Sequence, residues 1–373
     1  MLTPRVESAI RRATSVGEQD EITEAHLKSA QKLFIRDPEF KERDLRCLLE
    51  SLPNIENLHL WDTPIGDAGL VRIAQNSPPH LSWLSLSRCG ISHHGISDFS
   101  CHEPLRKLRL LSMSNDLIGR RSGERLLNGS TTTNMSMLSL RNSGLENAGL
   151  KRIAESENFA RIWSLTLSFE GISDLSHLCT SSYTGNLELL TLSQNRIGWE
   201  GCQSLAACEG FRQLGQLDLA WNKIDDKDLE ALGNAQFMRR LHILGLSRNL
   251  ISDSGAKQIA KFPVTHHPQS LDLNGNDITD VGALALLQGQ NAANYSYLTL
   301  SDTKVTDKFA FALANADYLK ELSSVSLGCT KVTEIGLRAI LDSPNLPKLR
   351  DISYSTDQVS TEFDDVYSRR FQR

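Results

Sequence analysis

Asp218 and Asp272 occupy matching phrases, Leu217-Asp218-Leu219 and Leu271-Asp272-Leu273, and paired carboxylates are a common basis for general acid-base chemistry. As parallel strands two spacings apart, the phrases would hold the carboxylates roughly 10 Å from each other. An inverting glycosidase sets its pair roughly 6.5 to 9.5 Å apart around a water. That chemistry also needs one carboxyl kept protonated by burial, and an open sheet desolvates little. A shallow notch for a partner's Lys or Arg is the better use of the two. The doublets His93-His94 and His266-His267 fall in expected turns, where adjacent side chains diverge and no spaced third ligand completes a metal site. Cys202 and Cys208 lie in a helical segment rich in small residues, Gly201-Cys-Gln-Ser-Leu-Ala-Ala-Cys208, which suits buried packing better than nucleophilic chemistry. No phosphate-binding loop, H-E-x-x-H helix or G-x-S-x-G elbow occurs. The sequence reads as non-catalytic, with no cofactor and no metal.

The elements that would place these residues come from one pattern, L-x-x-L-x-L-x-x-N/T/C-x-I/V. It begins at Ala30, Ile55, Leu81, Leu108, Met135, Ile162, Leu187, Leu214, Leu241, Pro268, Tyr295, Leu322 and Leu349. Successive starts are 25 to 27 residues apart, with 27 in nine of twelve intervals, so each repeat is one structural unit stacked on the last. Positions four and six alternate with small or polar residues, as in Leu244-Gly245-Leu246, the period-two mark of a short strand with one buried face. A turn follows, then apolar residues at helical spacing, as in Ile278-Thr-Asp-Val-Gly282-Ala-Leu-Ala-Leu-Leu287, with Thr279 or Asp280 as helix cap. Helices are wider than the strand spacing, so the stack should curve into a horseshoe with the sheet inside.

Position nine holds Asn195, Asn222, Asn249 and Asn276 in four consecutive repeats, and elsewhere Thr63, Cys89, Asp116, Ser143, Glu170, Thr303, Thr330 and Asp357. A short polar side chain there can bond the amides that the turn leaves unpaired. Glu170 is longer, and a locally distorted turn is expected at it.

The repeat resembles leucine-rich-repeat proteins of the ribonuclease-inhibitor-like and cysteine-containing kinds, whose unit continues as I-T-D-x-G-hydrophobic. The correspondence is close at Ile278-Thr-Asp-Val-Gly282 and at Ile65-Gly-Asp-Ala-Gly69. It is similar as well to the GALA-type repeats of bacterial effectors, where an F-box accompanies the array; residues 1 to 29 hold no obvious F-box. The resemblance covers roughly residues 22 to 360 and implies an α/β, right-handed leucine-rich-repeat solenoid of about 13 repeats whose business is protein-protein recognition. The alternative it carries is an adaptor or effector that recruits a ubiquitin-ligase or signalling complex through its N-terminal segment.

Formal charge is −5, with 40 Lys and Arg against 45 Asp and Glu and no long run of either sign, which argues against nucleic acid or a membrane surface as partner. No apolar stretch is long enough to span a bilayer, and the first residues lack the apolar core of a secretory signal. Seven cysteines without a C-x-x-C fit free thiols in a reducing compartment. A monomeric, cytoplasmic protein is expected. Residues 1–29 read as an N-terminal helical cap, with Val6, Ala9, Ile10 and Ala13 on one face and Arg5, Arg11 and Arg12 outward. Residues 30–360 read as the solenoid, and 361–373 as a C-terminal cap with a basic tail.

Positions three, five and seven of each strand must point away from the core, so the candidate binding face can be read off the repeats. Most of it is small, as at Ser85, Ser112, Ser139 and Thr166, which relieves crowding on a sheet that curves inward. The large exceptions are the candidate partner anchors. Trp83, Leu110 and Met137 at position three should form one exposed apolar stripe, extended by Phe34, Arg36, His59, Trp61 and Arg141. A second cluster places Trp221 and Arg248 at position eight of neighbouring repeats, where they can stack as a cation-π pair, with Phe169 two repeats earlier and Asp218 and Asp272 on either side of Gly245.

Overall fold

The computed structural model describes every residue except Met1, Ser77, Glu103, Pro104, Arg106, 263–268, Gln372 and Arg373. His266, His267, the repeat start at Pro268 and Arg373 of the tail therefore lie outside the described residues. Position four is buried in all thirteen repeats, and position six in all but the last, where half-exposed Tyr354 takes its place. These residues form parallel strands in sequence order, joined by helices, and the fold is an α/β leucine-rich-repeat solenoid.

The chain forms two compact units. The first, Met1–Ile172 with Thr180–Leu187, holds β1 (Lys32–Arg36), β2 (Asn57–Trp61), β3 (Trp83–Ser87), β4 (Leu110–Ser114), β5 (Met137–Arg141) and β6 (Ser164–Ser168). Register runs straight across them, Phe34 to His59 to Ser85 to Ser112 to Ser139 to Thr166. The second, Ser173–Cys179 with Glu188–Arg373, holds β7 (Leu189–Thr191), β8 (Gln216–Asp218), β9 (Ile243–Gly245), β10 (Ser270–Asp272), β11 (Tyr297–Thr299), β12 (Ser324–Ser326) and β13 (Asp351–Ser353). Its register is equally regular, so like positions of adjacent repeats stand side by side.

Position nine is where one repeat is tied to the next. Asn249 Oδ1 accepts from the Asn222 and Ile224 amides at 3.0 and 2.9 Å, while its Nδ2 donates to the Leu219 and Leu246 carbonyls, both at 3.0 Å. One side chain thus answers four backbone groups that would otherwise be buried unpaired. Glu170 does not distort its turn as expected. Its two oxygens divide the same work, accepting from the Ser143 and Leu145 amides, each at 2.9 Å. The irregularity falls downstream, in the next helix, Ser176–Thr180, which has only five residues. Asp357 is exposed, and Gln358 takes over its role by donating to the Val332 carbonyl at 2.9 Å.

The helices carry a second tie, which gives the I-T-D-x-G phrase its meaning. Asp253 accepts from the amide and hydroxyl of Thr279 at 2.8 and 2.6 Å, and from the Gly282 amide at 2.9 Å. Asp67 with Ser92, Asp226 with Ser252, Asp280 with Thr306 and Asp307 with Thr333 repeat the arrangement. Each carboxylate sits at the start of one helix and holds the N-cap of the next, where the helix dipole favours it.

At the N-terminus, helix Pro4–Thr14 buries Val6, Ala9 and Ile10, whereas Ala13 is exposed at the helix end. Arg5 and Arg11 are half-buried in ion pairs, Arg5 with Asp37 and Glu39 and Arg11 with Glu7, leaving Arg12 as the outward arginine. Helix Thr361–Phe371 buries Phe363 edge-on against Tyr354, with centroids 5.3 Å apart.

Two stability outcomes follow from these ties. A Cβ on Gly282 would lie 2.6 Å from Asp253 Oδ1 and 2.9 Å from its Cα; Gly282→Ala should therefore cost about 1–3 kcal/mol of unfolding free energy, against little change for Gly185→Ala, where nothing lies within 4 Å. Asp116 fills position nine with Oδ1 accepting from the Cys89 and Ile91 amides, both at 3.0 Å, while its buried Oδ2 has no hydrogen-bond partner. Burial raises its pKa, and an asparagine amide at this place in other repeats donates to carbonyls. Protonated Asp116 can do the same, so its contribution is present at low pH and is lost as pH rises through its folded pKa. In denaturant titrations, Asp116→Asn should gain about 1–3 kcal/mol at neutral pH, and the gain should shrink on acidification; a pH-independent difference would refute the protonated carboxyl.

Candidate functional site

The outward face of the first unit gathers its large side chains at one end. The Phe34 ring stacks on His59 with centroids 4.1 Å apart and planes 9° from parallel, and His59 meets Trp83 at 5.6 Å and 51°. Straight register produces this: Phe34 and His59 share position five on β1 and β2, and Trp83 stands one step diagonal on β3. Held between the two rings, His59 is buried, and desolvation lowers its pKa toward the neutral imidazole. A cavity of about 390 Å³ opens here, lined by Phe34, His59, Trp61, Trp83, Leu110 and Met137 over a floor that includes Ser85, Ser112, Ser139 and Thr166.

Trp61 is 46% and Trp83 40% exposed, but Leu110 is only 8% exposed, so the expected stripe of three exposed apolar residues is interrupted. Leu110 stands between Trp83 and Met137 in the register and forms wall, not anchor. Arg36 and Trp61 are register partners at position seven. Arg141 is exposed at the same position of β5.

Besides Phe169, position eight of the first unit holds residues that sequence reasoning passed over. Asp62, Arg88, Asn115, Asn142 and Phe169 all adopt left-handed φ between 50° and 60°, a conformation that costs a non-glycine residue roughly 1–2 kcal/mol. Phe169 is half exposed there. Asp62 receives two guanidiniums: Arg36 Nε at 2.8 Å, and Arg88 through Nη2 at 2.9 Å and through Nε. The Arg88 hydrogen bond is the main reason the Asp62 carboxyl is held down to about 2. The usable signal was opposite charge at position eight of consecutive repeats.

In the second unit, Asp218 and Asp272 flank Gly245 as expected, but the floor between them is not clear. Asp218 leans over Gly245, where a Cβ would stand 2.8 Å from Oδ1, and that oxygen accepts from the Ala220 amide at 2.9 Å. Asp272 Oδ1 accepts from the Asn274 amide and the Thr299 hydroxyl at 3.0 and 2.6 Å. Burial first, and then the charge of Asp272, raise the Asp218 pKa. Both side chains are half-buried on the sheet.

Arg248 lies over the Trp221 ring, 5.4 Å from its centroid, and reaches Asp302 at 2.5 Å. Gly275, at φ 66° between the two repeats, makes room for the bridge, since a Cβ there would stand 2.5 Å from Arg248 Cδ. Phe169 belongs to the first unit and Trp221 and Arg248 to the second.

His93 and His94 open helix His93–Ser100 instead of lying in a turn, their rings 3.9 Å apart. Among the described residues no group of three or more His, Cys, Asp or Glu could hold a metal ion. Cys202 is buried in helix Trp199–Ala206, and burial pushes its thiol up to about 12, far from a reactive thiolate. No described helix is long and apolar enough to cross a membrane.

Fold and repeat chemistry together define a leucine-rich-repeat solenoid whose repeats are similar to the ribonuclease-inhibitor-like kind. Residues 214–233 and 269–287 match the Leucine Rich repeat family. The chain is 30% identical over 190 residues to the ribonuclease inhibitor of Sus scrofa, a match covering 47% of this chain and 41% of that protein. Among solved structures it is similar to an internalin from Listeria monocytogenes, with TM-score 0.53, 19% identity and 95% of each chain covered. It is also similar to a chain of the yeast Rad7 and Elc1 complex, with TM-score 0.57, 17% identity and coverage of 95% of this chain and 91% of that one.

The bridge over Gly275 has a direct test. Gly275→Ala should displace Arg248 from Asp302 and Trp221, changing Trp221 fluorescence and costing about 1–2 kcal/mol through the left-handed backbone; unchanged emission would show that the guanidinium does not rest on the ring.

Proposed function

We propose that the chain is a non-catalytic protein-interaction scaffold that binds a protein partner through the concave face of its sheet, with the first unit's aromatic cavity as principal anchor site. One observation carries the reading: Trp61 and Trp83 stand half exposed around a cavity whose floor is almost entirely hydroxyls. Large anchors in a low, polar surround are the arrangement in which a few residues dominate binding. Arg36 and Arg141 supply charge beside it, while Leu110 and Met137 shape its wall. The Trp221–Arg248 pair, Phe169, and Asp218 with Asp272 are secondary contacts on this reading.

Residues 1–29 serve as a cap, 30–360 as the solenoid and 361–373 as a second cap, in a cytoplasmic monomer with reduced cysteines. The buried Val6, Ala9 and Ile10 support the cap, and they make recruitment of a ubiquitin-ligase or signalling complex through the same segment the weaker alternative. With a captured partner, Trp83→Ala should weaken binding by about 1–4 kcal/mol in calorimetry, with the unfolding midpoint held. Amide-exchange protection on partner binding should fall on β2 to β5. Unchanged affinity together with protection confined to the helices would overturn the assignment.

A further inference from the structure

The net charge of −5 conceals a division on the sheet face. In the first unit, positions three, five and seven of β1 to β6 carry Lys32, Arg36 and Arg141 and no carboxylate. In the second unit, the same positions carry Asp218, Asp272 and Asp351 and no Lys or Arg. The cavity belongs to the cationic face. Beside it, Arg36 and Arg88, with side chains 71% and 57% exposed, share one carboxylate, Asp62, so that cluster keeps one net positive charge. His59 adds none, because burial favours its neutral form.

We infer that the occupant of the first unit's face is a protein segment that inserts an aromatic or leucine side chain between Trp61 and Trp83 and flanks it with Asp or Glu. The inference rests on the face-binding reading and specifies its chemistry. A cavity of about 390 Å³ lies near the lower limit of ligand pockets, which suits one or two anchor side chains. The exposed guanidiniums stand where flanking carboxylates can pair with them in charge-assisted, bidentate fashion. A basic segment would meet like charge, which costs binding and slows encounter.

Fluorescence anisotropy of the full chain tests this with three labelled synthetic peptide pools. One mixes Phe and Leu with Asp and Glu, the second replaces the acids by Lys, and the third replaces Phe and Leu by Ser. The first pool should bind at least about tenfold more tightly than the others, and its affinity should fall with added salt. Lys32→Glu, at an exposed residue, and Arg36→Ser should each weaken it several-fold while leaving thermal unfolding in place. Trp83→Ser should abolish it. Equal or tighter binding of the Lys pool that still depends on Trp83 would overturn the acidic partner and leave the face reading standing. Binding that ignores both Trp83 and the charge changes would remove both readings, and binding by none of the pools would overturn the inference.

Discussion

A chain that leaves a strand at the same point in every repeat strands the same backbone amides at the same depth, and everything else depends on their being answered. Here the answer comes from position nine of the next repeat, as when Asn249 receives the amides of Asn222 and Ile224 and returns its own donors to two carbonyls. A buried amide left unpaired costs roughly 1–3 kcal/mol, so the spacing between repeats has little freedom. The residue type varies more than the bond. Cys89, Asp116, Ser143 and Glu170 are all buried at this position, and each is accommodated by a different use of its oxygen or sulfur atoms.

That restraint is what gives the sheet face its meaning. Because like positions are held side by side, a side chain at position five of one strand is next to position five of its neighbours, and small hydroxyls at most of them leave a low surface. The aspartate at the start of five of the helices does the same on the other side of the repeat, tying the cap of one helix to the next and, as at Asp253 and Gly282, excluding a Cβ at the glycine that follows. With both edges of the repeat fixed, a large residue at positions three, five or seven has no path into the core. Trp61, Trp83 and Phe34 are exposed because the register puts them on the outward face, where the rings can cover only His59 between them.

How much of this can be read from residues alone differs by position. The strands, the burial of positions four and six and the polar position nine follow from period and residue type, which are local properties. Leu110 shows where that fails: its position is right for the face, but its burial depends on the size of Trp83 and Met137 beside it, which is a property of three repeats together. Glu170 shows that side-chain length alone does not decide the fit, since two carboxylate oxygens can divide amides that one asparagine oxygen serves. The left-handed backbone at position eight is harder still. Gly275 advertises it outright, and Asp62, Asn115, Asn142 and Asp302 are of types that tolerate it, but nothing in Arg88, Trp221 or Arg248 does, and the cost there is borne by the bonds that lock the turn on either side.

Left-handed backbone at position eight has a consequence for recognition. In most repeats it lifts a side chain to the rim of the sheet, and because rim residues neighbour each other in register, several pair: Asp62 with Arg88, Asn115 with Asn142 at 3.0 Å, Trp221 with Arg248. Paired rim residues are partly satisfied before any partner arrives, and exposed pairs of this kind contribute little to stability. Their value lies in fixing side chains that would otherwise lose rotamer freedom on binding. The hydroxyl-lined floor offers many hydrogen bonds and few strong anchors. On the proposed face-binding reading, affinity for a partner concentrates where a preset rim and an apolar cavity adjoin, and in the first unit that is the corner formed by Arg36, Asp62 and Trp61.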